Sequence, residues 1–336
     1  MFYRGNDGWK LQQDLQPPIE VGPSDLFGYS VAIHGNVIVV GAPLANLAQV
    51  YTRPEPGEMF AKAGPPLESH KIGRFGESVA IFGDKILVGA PHENHSGRSN
   101  AGSVYVFARF GNVWEYEAEL IARSPQSEEY FGTCLALYHD AAIVGMPGHG
   151  SLEKGGLQIF EHDGLDWMYD GPSFGDPIAT DGSTSVFTGA RYGAYCDIHK
   201  EFLIVGGDLV APKVYEQTFT GDWGALGYSS LSTSNGDPVH GTAVAVDHDR
   251  GNDEDVLAVG GYDEVKIFYH EDNKWVHKDE AAGVPLAPDD VVNGDAFGAS
   301  VDMSEGTIVA GAPLAHAGGL SPVGDVYVMD LNVAMD

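Results

Sequence analysis

The chain has 336 residues, of which 43% are hydrophobic, and a formal net charge of -30 at pH 7. Such an acidic surface repels phosphate backbones and anionic lipid, which argues against nucleic acid and membrane surfaces as partners. No apolar run is long enough to span a bilayer, and the opening ten residues lack the apolar core of a signal peptide. We therefore expect a soluble chain without a membrane span or a leader.

One motif recurs along the whole chain: Phe-Gly or a relative, two short apolar strands, and then Gly-Ala-Pro or a relative. The first element occurs at Phe27-Gly28, Phe75-Gly76, Phe131-Gly132, Tyr192-Gly193, His240-Gly241 and Phe297-Gly298. The second occurs at Gly41-Ala42-Pro43, Gly89-Ala90-Pro91, Gly145-Met146-Pro147, Gly206-Gly207-Asp208, Gly260-Gly261-Tyr262 and Gly311-Ala312-Pro313. Six copies at a period of about 56 residues, with four short strands each, predict an all-β fold, a six-bladed β-propeller of four-stranded antiparallel blades.

The second strand of each copy is almost continuously apolar, as in Val37–Val40 and Phe202–Val205. Strands of this kind are buried on both faces, which is expected where blades pack against one another. Because each blade then needs only its neighbours, the whole length is compatible with a single domain, residues 1–336.

Tryptophan is predicted to mark the outer strand of the blades. The five tryptophans all open that strand in the alignment of the copies: Trp9, Trp114, Trp167, Trp223 and Trp275. The segment Trp9–Leu15 matches Trp114–Leu120, whereas the last copy ends after its third strand, near Met329. We therefore expect Trp9–Leu15 to complete the last blade, closing the ring and covering two sheet edges.

The chain has two cysteines, Cys134 and Cys196. They fall at nearly equivalent places in the first strands of neighbouring copies, one residue out of register, so their side chains are expected to face opposite sides. This predicts two buried thiols rather than a disulfide, and leaves the compartment open.

The segments FGESVAIFGDKILVGAP, FGYSVAIHGNVIVVGAP and FGASVDMSEGTIVAGAP resemble FG-GAP repeats, the blade units of the integrin α-subunit head and of many surface proteins. The resemblance implies a β-propeller that contacts protein or glycan, commonly outside the cell or on its surface. It also implies Ca²⁺ in some of the hairpins between the first two strands. Integrin heads have seven blades, whereas six copies are counted here.

The calcium pattern has one candidate location, the turn of the fifth copy. Asp247, Asp249 and Asp255 match the first, third and ninth ligand positions of the family loop, and Asp253 matches the backbone-carbonyl position. Clustered carboxylates repel unless a hard cation neutralises them, and Ca²⁺ accepts six to eight oxygen ligands. Gly251 occupies the fifth position, so one ligand is missing; a solvated acidic turn without metal is the alternative.

Loops that follow Gly-Ala-Pro are the predicted recognition surface, since variable loops on a rigid scaffold usually carry binding. The candidate contact residues in them are His92, Asn94, His95, Arg98, His149, Lys154, Asp208, Tyr262 and His316. His92 and His95 supply at most half a transition-metal site, so a plain polar loop is favoured there. Asn94-His95-Ser96 is the chain's only N-x-S/T sequon.

The function predicted from these features is a non-enzymatic binding or assembly module that engages a protein or glycan. The alternative is a propeller hydrolase or lyase active on glycans, with acidic residues such as Asp197 and Asp302 at a central channel. A purely structural subunit of a larger assembly is a third possibility. No catalytic motif supports an enzyme, and scattered acids are also normal in a wet channel.

Overall fold

A computed structural model describes residues 2–5, 8–150, 155–169, 191–207, 211–217, 229–231, 241–249, 253–261, 264–272, 274–277, 294–304, 306–315 and 325–331. Across these residues the chain is all-β and contains no helix. Seven small antiparallel sheets are present, and six of them are the blades of a six-bladed β-propeller. The fold class predicted from the repeats is confirmed.

The strands follow the repeats in chain order. An N-terminal pair precedes the blades, β1 (Phe2–Gly5) and β2 (Gly8–Leu11). Blade one contains β3 (Ser30–His34), β4 (Val37–Ala42), β5 (Leu47–Thr52), β6 (Ala61–Lys62) and β7 (Leu67–Glu68). Blade two contains β8 (Ser78–Phe82), β9 (Lys85–Ala90), β10 (Ser103–Phe110) and β11 (Val113–Leu120). Blade three contains β12 (Leu135–Tyr138), β13 (Ala141–Gly145), β14 (Leu157–His162) and β15 (Trp167–Tyr169).

The second half of the chain repeats this plan. Blade four contains β16 (Tyr195–His199), β17 (Phe202–Gly206), β18 (Lys213–Glu216) and β19 (Ser229–Ser230). Blade five contains β20 (Ala243–Asp249), β21 (Glu254–Gly261), β22 (Glu264–Glu271) and β23 (Lys274–His277). Blade six contains β24 (Ser300–Ser304), β25 (Thr307–Ala312) and β26 (Asp325–Asp330).

The chain divides into two compact units. One comprises Met1–Val144 with Phe160–Tyr169, and the other comprises Gly145–Ile159 with Asp170–Asp336. The prediction of a single domain stays a prediction. Within the described ranges, no helix long and apolar enough to cross a membrane is present.

The repeated glycines are explained by a close approach between successive blades. A Cβ built on Gly89 would lie 2.3 Å from the carbonyl oxygen of Gly132, and one on Gly41 would lie 2.0 Å from that of Gly76. The same contact joins Gly260 to the Gly298 carbonyl in the second unit. Gly41, Gly89 and Gly260 thus each pack on the Phe-Gly glycine of the next blade, where no side chain fits.

Serine hydroxyl groups tie the same junctions together. Ser30 Oγ donates a hydrogen bond to the Gly76 carbonyl (2.8 Å), and Ser78 Oγ donates one to the Gly132 carbonyl (2.6 Å). Sequence reasoning noted the glycines but missed this serine role. Its signal is the serine two residues after Phe-Gly in the first two copies.

Apolar layers between the blades form the core. In the first unit, one layer joins Val39 and Val50 of blade one to Ile86, Val88 and Trp114 of blade two. The phenylalanines of the motif lie at the ends of such layers, and Phe75, Phe131 and Phe297 are fully buried. Trp114, Trp167 and Trp275 all lie in outer strands, as predicted. Trp223 lies outside the described residues.

The N-terminal segment pairs differently from the prediction. Gly8–Leu11 forms a two-stranded antiparallel sheet with Phe2–Gly5, and blade six has three strands in its described part. Only two residues of the sequence lie between the paired strands. Completion of the last blade by Trp9–Leu15 is therefore not confirmed, because a local hairpin partner lies closer in sequence.

The segment after this hairpin lies on blade one. The side chain of Gln13 accepts the Phe60 N–H (2.8 Å) and donates to the Phe60 carbonyl (2.8 Å). Tyr51 donates its hydroxyl proton to the Gln16 carbonyl (2.5 Å), and burial raises the pKa of Tyr51 to about 12. Leu15 packs on the apolar cluster that contains Tyr51 and Phe60.

Both cysteines of the chain, Cys134 and Cys196, are disulfide-bonded, so the prediction of two free thiols is wrong. Cys196 lies within β16, but Cys134 lies in the bend that precedes β12. Strand alternation therefore does not set the direction of the Cys134 side chain. The one-residue offset between the two cysteines in the aligned copies therefore does not indicate which way their side chains point.

Candidate functional site

The loop between β9 and β10 in blade two holds most of the predicted contact residues. His95 and Arg98 exchange two backbone hydrogen bonds, of 3.0 and 2.9 Å, around a turn formed by Ser96 and Gly97. Both turn residues have positive φ, 52° and 77°. The Asn94 side-chain oxygen accepts the Asn100 N–H at 3.0 Å. The loop is thus ordered by its own hydrogen bonds.

A second loop, between β11 and β12, is attached to the first. Glu128 donates its N–H to the Ser99 carbonyl (2.8 Å), and Tyr130 donates its N–H to the Asn100 carbonyl (3.0 Å). The Glu128 carboxylate accepts the Tyr130 hydroxyl (2.6 Å) and the Asn100 amide (3.0 Å). We call the joined loops, residues 92–102 and 121–130, the paired-loop surface.

Basic and aromatic groups meet on this surface. His92 packs edge-on against Tyr130, with ring centroids 5.2 Å apart, and its Nε2 lies 3.7 Å from the Glu77 carboxylate. Arg74 lies 3.4 Å from the same carboxylate and is half-exposed. Arg98 is exposed, and His95 lies 4.0 Å from Glu119. His92 and His95 therefore have separate carboxylate partners, Glu77 and Glu119.

A buried polar network supports the paired-loop surface from below. Lys71 Nζ lies 2.7 Å from the carboxylates of both Glu93 and Glu119. Glu93 has only 1% of its side chain exposed and also accepts hydrogen bonds from Tyr105 (2.7 Å) and Ser103 (3.2 Å). Hydrogen bonds and the positive charge of Lys71 lower the pKa of Glu119 against its desolvation. Sequence reasoning missed this network, because its members are far apart in the chain.

The acidic hairpin of blade five does not form the expected loop. Asp247 and Asp249 lie within β20, and Asp255 lies within β21, where it pairs with His248. Asp247 binds His199 Nδ1 (3.0 Å), whereas Asp255 binds His248 Nδ1 (2.8 Å) and lies 3.5 Å from Lys200 Nζ. Asp253 is exposed and contacts the other nitrogen of His248 at 3.2 Å.

The described geometry does not bring the three predicted side-chain ligands, Asp247, Asp249 and Asp255, together on one face of the hairpin. Alternation along β20 places Asp247 and Asp249 on the face opposite His248, away from Asp253 and Asp255. In the part of the chain that the structure describes, no group of three or more His, Cys, Asp or Glu side chains is placed to hold a metal. Gly251 lies outside the described residues. Calcium binding here stays a prediction.

The calcium prediction can be tested by measuring the melting temperature of the protein as Ca²⁺ is added. If the hairpin binds Ca²⁺, the melting temperature rises with added calcium in the native protein and does not rise in Asp255→Asn, which removes a predicted side-chain ligand, because the metal binds only the folded state. Equal melting temperatures of the native protein in calcium and in EDTA contradict the prediction.

Asp197 and Asp302 lie in the first strands of blades four and six. The Asp197 carboxylate accepts the N–H of Ile198 (2.8 Å) and, from the next blade, the N–H of Val246 (2.8 Å). Asp302 accepts the N–H of Met303 (2.8 Å). Asp197 therefore ties two blades together through the backbone, which is a structural role.

Protein atoms surround the Asp197 carboxylate, although the residue keeps some surface exposure. Desolvation raises its pKa to about 7, against the two backbone hydrogen bonds. Because the ordinary pKa is about 3.9, ionisation of Asp197 should destabilise the fold as pH rises from about 4 to about 7. Relative to Asp197→Asn, the native protein should lose about 4 kcal/mol across that window, because each unit by which the pKa is raised corresponds to about 1.4 kcal/mol. Urea unfolding of both proteins at several pH values measures the difference, and a constant difference contradicts it.

The remaining predicted contact residues are less informative. His149 lies after β13, where its N–H donates to the Met146 carbonyl (3.1 Å) and its carbonyl accepts the Gly155 N–H (3.0 Å). The other four lie outside the described residues: Lys154, Asp208, Tyr262 and His316. The paired-loop surface therefore gathers four predicted residues, His92, Asn94, His95 and Arg98. Glu128 and Tyr130 join them, and Arg74 lies next to the surface because it shares the Glu77 carboxylate with His92. None of these three residues was predicted.

Comparison with known proteins agrees with this architecture. The family model of the FG-GAP repeat matches residues 9–52, 72–107 and 284–329. A search of curated protein sequences finds no match. Among solved structures, the computationally designed Ika8 protein is similar, with a TM-score of 0.50 and 14% sequence identity over 94% of this chain and 74% of that one. At this identity the similarity concerns the fold alone. In these three segments the chain therefore carries FG-GAP repeats, and its described sheets are the blades of a six-bladed β-propeller.

Proposed function

We propose that this protein is a non-enzymatic binding or assembly module whose paired-loop surface engages a protein or glycan partner. The observation that carries the proposal is the order of that surface before any partner binds. Its two loops are joined by backbone hydrogen bonds of 2.8 and 3.0 Å, and the His95–Arg98 turn is closed by two more. Loops ordered in advance lose little conformational entropy on binding, which favours recognition.

The charge of the surface indicates the chemistry of the partner. The chain holds only 18 Lys and Arg residues against 48 Asp and Glu. Arg98 is nevertheless exposed on the paired-loop surface, and Arg74 and His92 lie beside the same Glu77 carboxylate next to it. A guanidinium group binds carboxylates and other oxyanions with two hydrogen bonds. We infer that the partner presents such a group within an otherwise neutral or basic contact area.

An extracellular or cell-surface location fits the same proposal. FG-GAP repeats are typical of surface proteins, and both cysteines of this chain are disulfide-bonded. Disulfides form and persist in oxidising compartments and are rare in reducing ones. The disulfide-bonded cysteines support this location, which the cysteine count alone left open.

The disulfide can be measured directly. The native protein should show no free thiol by titration under denaturing conditions, and two after reduction. Cys134→Ser should lower the free energy of unfolding by about 2 kcal/mol, because the cross-link restricts the unfolded chain. Free thiols in protein recovered from an oxidising environment, or an unchanged stability of the variant, would contradict this expectation.

Photo-crosslinking tests the binding surface. A photoreactive residue replaces exposed Ser99, and a matched one replaces exposed Lys274 on β23, far from the two loops in sequence. With native extract, position 99 should capture a discrete macromolecule that position 274 does not. Arg98→Glu should reduce this capture about tenfold, which corresponds to about 1.4 kcal/mol. Equal labelling from positions 99 and 274 contradicts the proposal.

The hydrolase or lyase alternative is tested in the same preparation. Its best candidate, Asp197, uses both carboxylate oxygens to accept backbone N–H groups, which leaves it poorly placed as an acid toward a substrate. Purified protein incubated with acidic and neutral polysaccharides should release no product. A product that is lost in Asp197→Asn would establish the enzymatic alternative instead.

A further inference from the structure

We infer that Asn94 is the acceptor of an N-linked glycan. The segment Asn94-His95-Ser96 has the acceptor pattern N-x-S/T, with a residue other than proline in the middle. It occurs once in the chain. The inference goes beyond the binding role. Because Asn94 lies on the paired-loop surface, an attached glycan would form part of the surface that a partner meets.

The geometry of Asn94 suits a glycan in the folded protein. The residue is exposed, whereas its neighbour Glu93 is buried. The Asn94 Oδ1 atom accepts the Asn100 N–H at 3.0 Å, which fixes the plane of the amide. Because one side of the amide is held against the loop, the Nδ2 group is directed away from that hydrogen bond. A sugar attached before folding therefore does not have to be buried.

The hydroxyl half of the sequon is also at the surface. Ser96 is exposed and has a φ of 52°, at the tip of the turn that His95 and Arg98 close. Ser96 and Gly97 take part in no apolar cluster of the described residues. The whole sequon thus lies on a turn that the core does not need.

The disulfide is an independent observation that points to the same compartment. N-linked glycans are added to chains that enter the secretory route, where cysteines are oxidised. Cys134 and Cys196 are both disulfide-bonded. A chain that acquires this cross-link in a eukaryotic cell therefore meets the glycosylation machinery on the way.

The reaction is a group transfer without oxidation or reduction. The donor is an oligosaccharide linked through a diphosphate to a lipid, and it is supplied by the host cell. The Asn94 Nδ2 atom forms a bond to C1 of the first sugar, while the bond between that C1 and the diphosphate oxygen breaks. The diphosphate leaves with the bonding electrons, and Nδ2 loses one proton to a base of the host transferase.

The test is secretion of the full chain, with an added leader, from cultured eukaryotic cells. Protein from the medium and from the secretory membranes is analysed by peptide mass spectrometry, with and without peptide N-glycosidase. The expected result is a glycan on Asn94 that the enzyme removes, leaving aspartate at position 94. Asn94→Gln and Ser96→Ala should each lose the glycan, although Ser96→Ala keeps the acceptor amide.

The matched control is Asn112→Gln, an exposed asparagine in the turn between β10 and β11 that belongs to no sequon. It should keep the glycan unchanged. Native chain that has both cysteines oxidised but carries an unmodified Asn94, in either fraction, overturns the inference. A glycan that survives in Ser96→Ala overturns it as well, since recognition would then not involve the sequon.

Discussion

Replacing Gly89 with alanine is expected to destabilise the protein by about 4 kcal/mol, toward the upper end of single-substitution effects. A Cβ at this position would lie 2.1 Å from Ser78 Oγ and 2.3 Å from the Gly132 carbonyl oxygen. Real side chains do not approach this closely, so the loop carrying Gly132 would have to move. That movement would also break the 2.6 Å hydrogen bond from Ser78 to the Gly132 carbonyl.

Urea unfolding of the native protein and the variant measures this difference. Gly83 is the matched control, because it lies in the same blade with a φ of 59° and nothing within 4 Å of a built Cβ. Gly83→Ala should cost only about 1–2 kcal/mol, the ordinary penalty of a left-handed residue. Similar losses for both variants would show that close packing between the blades is not what requires glycine at position 89.

Replacing Lys71 with methionine is expected to cost about 3 kcal/mol at pH 7. The Lys71 ammonium group lies 2.7 Å from both Glu93 and Glu119, and Glu93 is buried. Removal of the cation leaves two neighbouring carboxylates without a counter-charge, which is costly away from water. The figure lies at the low end for a buried pair, because 45% of the Lys71 side chain is exposed to screening solvent.

The loss should shrink at low pH. The pKa of Glu119 is lowered in the folded protein, so its share of the stability is present above its unfolded pKa of about 4.3 and disappears as pH falls through the folded value. In Lys71→Met the part of that lowering that comes from the Lys71 hydrogen bond and charge is lost. Lys62→Met is the control, because the Lys62 ammonium group donates to the Pro17 carbonyl. A loss for Lys71→Met that is independent of pH, or equal to that for Lys62→Met, contradicts the assignment.

The fold was predictable because its information is local and repeated. Phe75 and Gly89 belong to a pattern that recurs at a regular period, and each copy carries apolar strands of the right length. The buried position of Phe131 and the outer-strand position of Trp114 follow from that pattern. No knowledge of contacts between distant residues is needed for these assignments.

The candidate site was only partly predictable. The loop with His92 and Arg98 was identified by its length, but its attachment to Glu128 and Tyr130 depends on backbone hydrogen bonds to residues nearly thirty positions later. Nearly every residue type carries the same backbone N–H and C=O groups, so the sequence does not indicate which of them form hydrogen bonds between distant loops. The acidic hairpin shows the opposite error, since Asp247 and Asp255 resemble a ligand loop in the sequence but lie in paired strands beside His199 and His248.

By itself, the sequence determined the number of blades, the order of the strands and the place of glycine at each junction. These features can be read from the sequence because the repeat period and the positions of glycine depend only on the order of residues along the chain. The tertiary structure alone decided the oxidation of Cys134 and Cys196, the pairing of the N-terminal strands and the partners of Lys71. These depend on which distant groups come within a few ångströms, and distances between such groups exist only once the chain has folded.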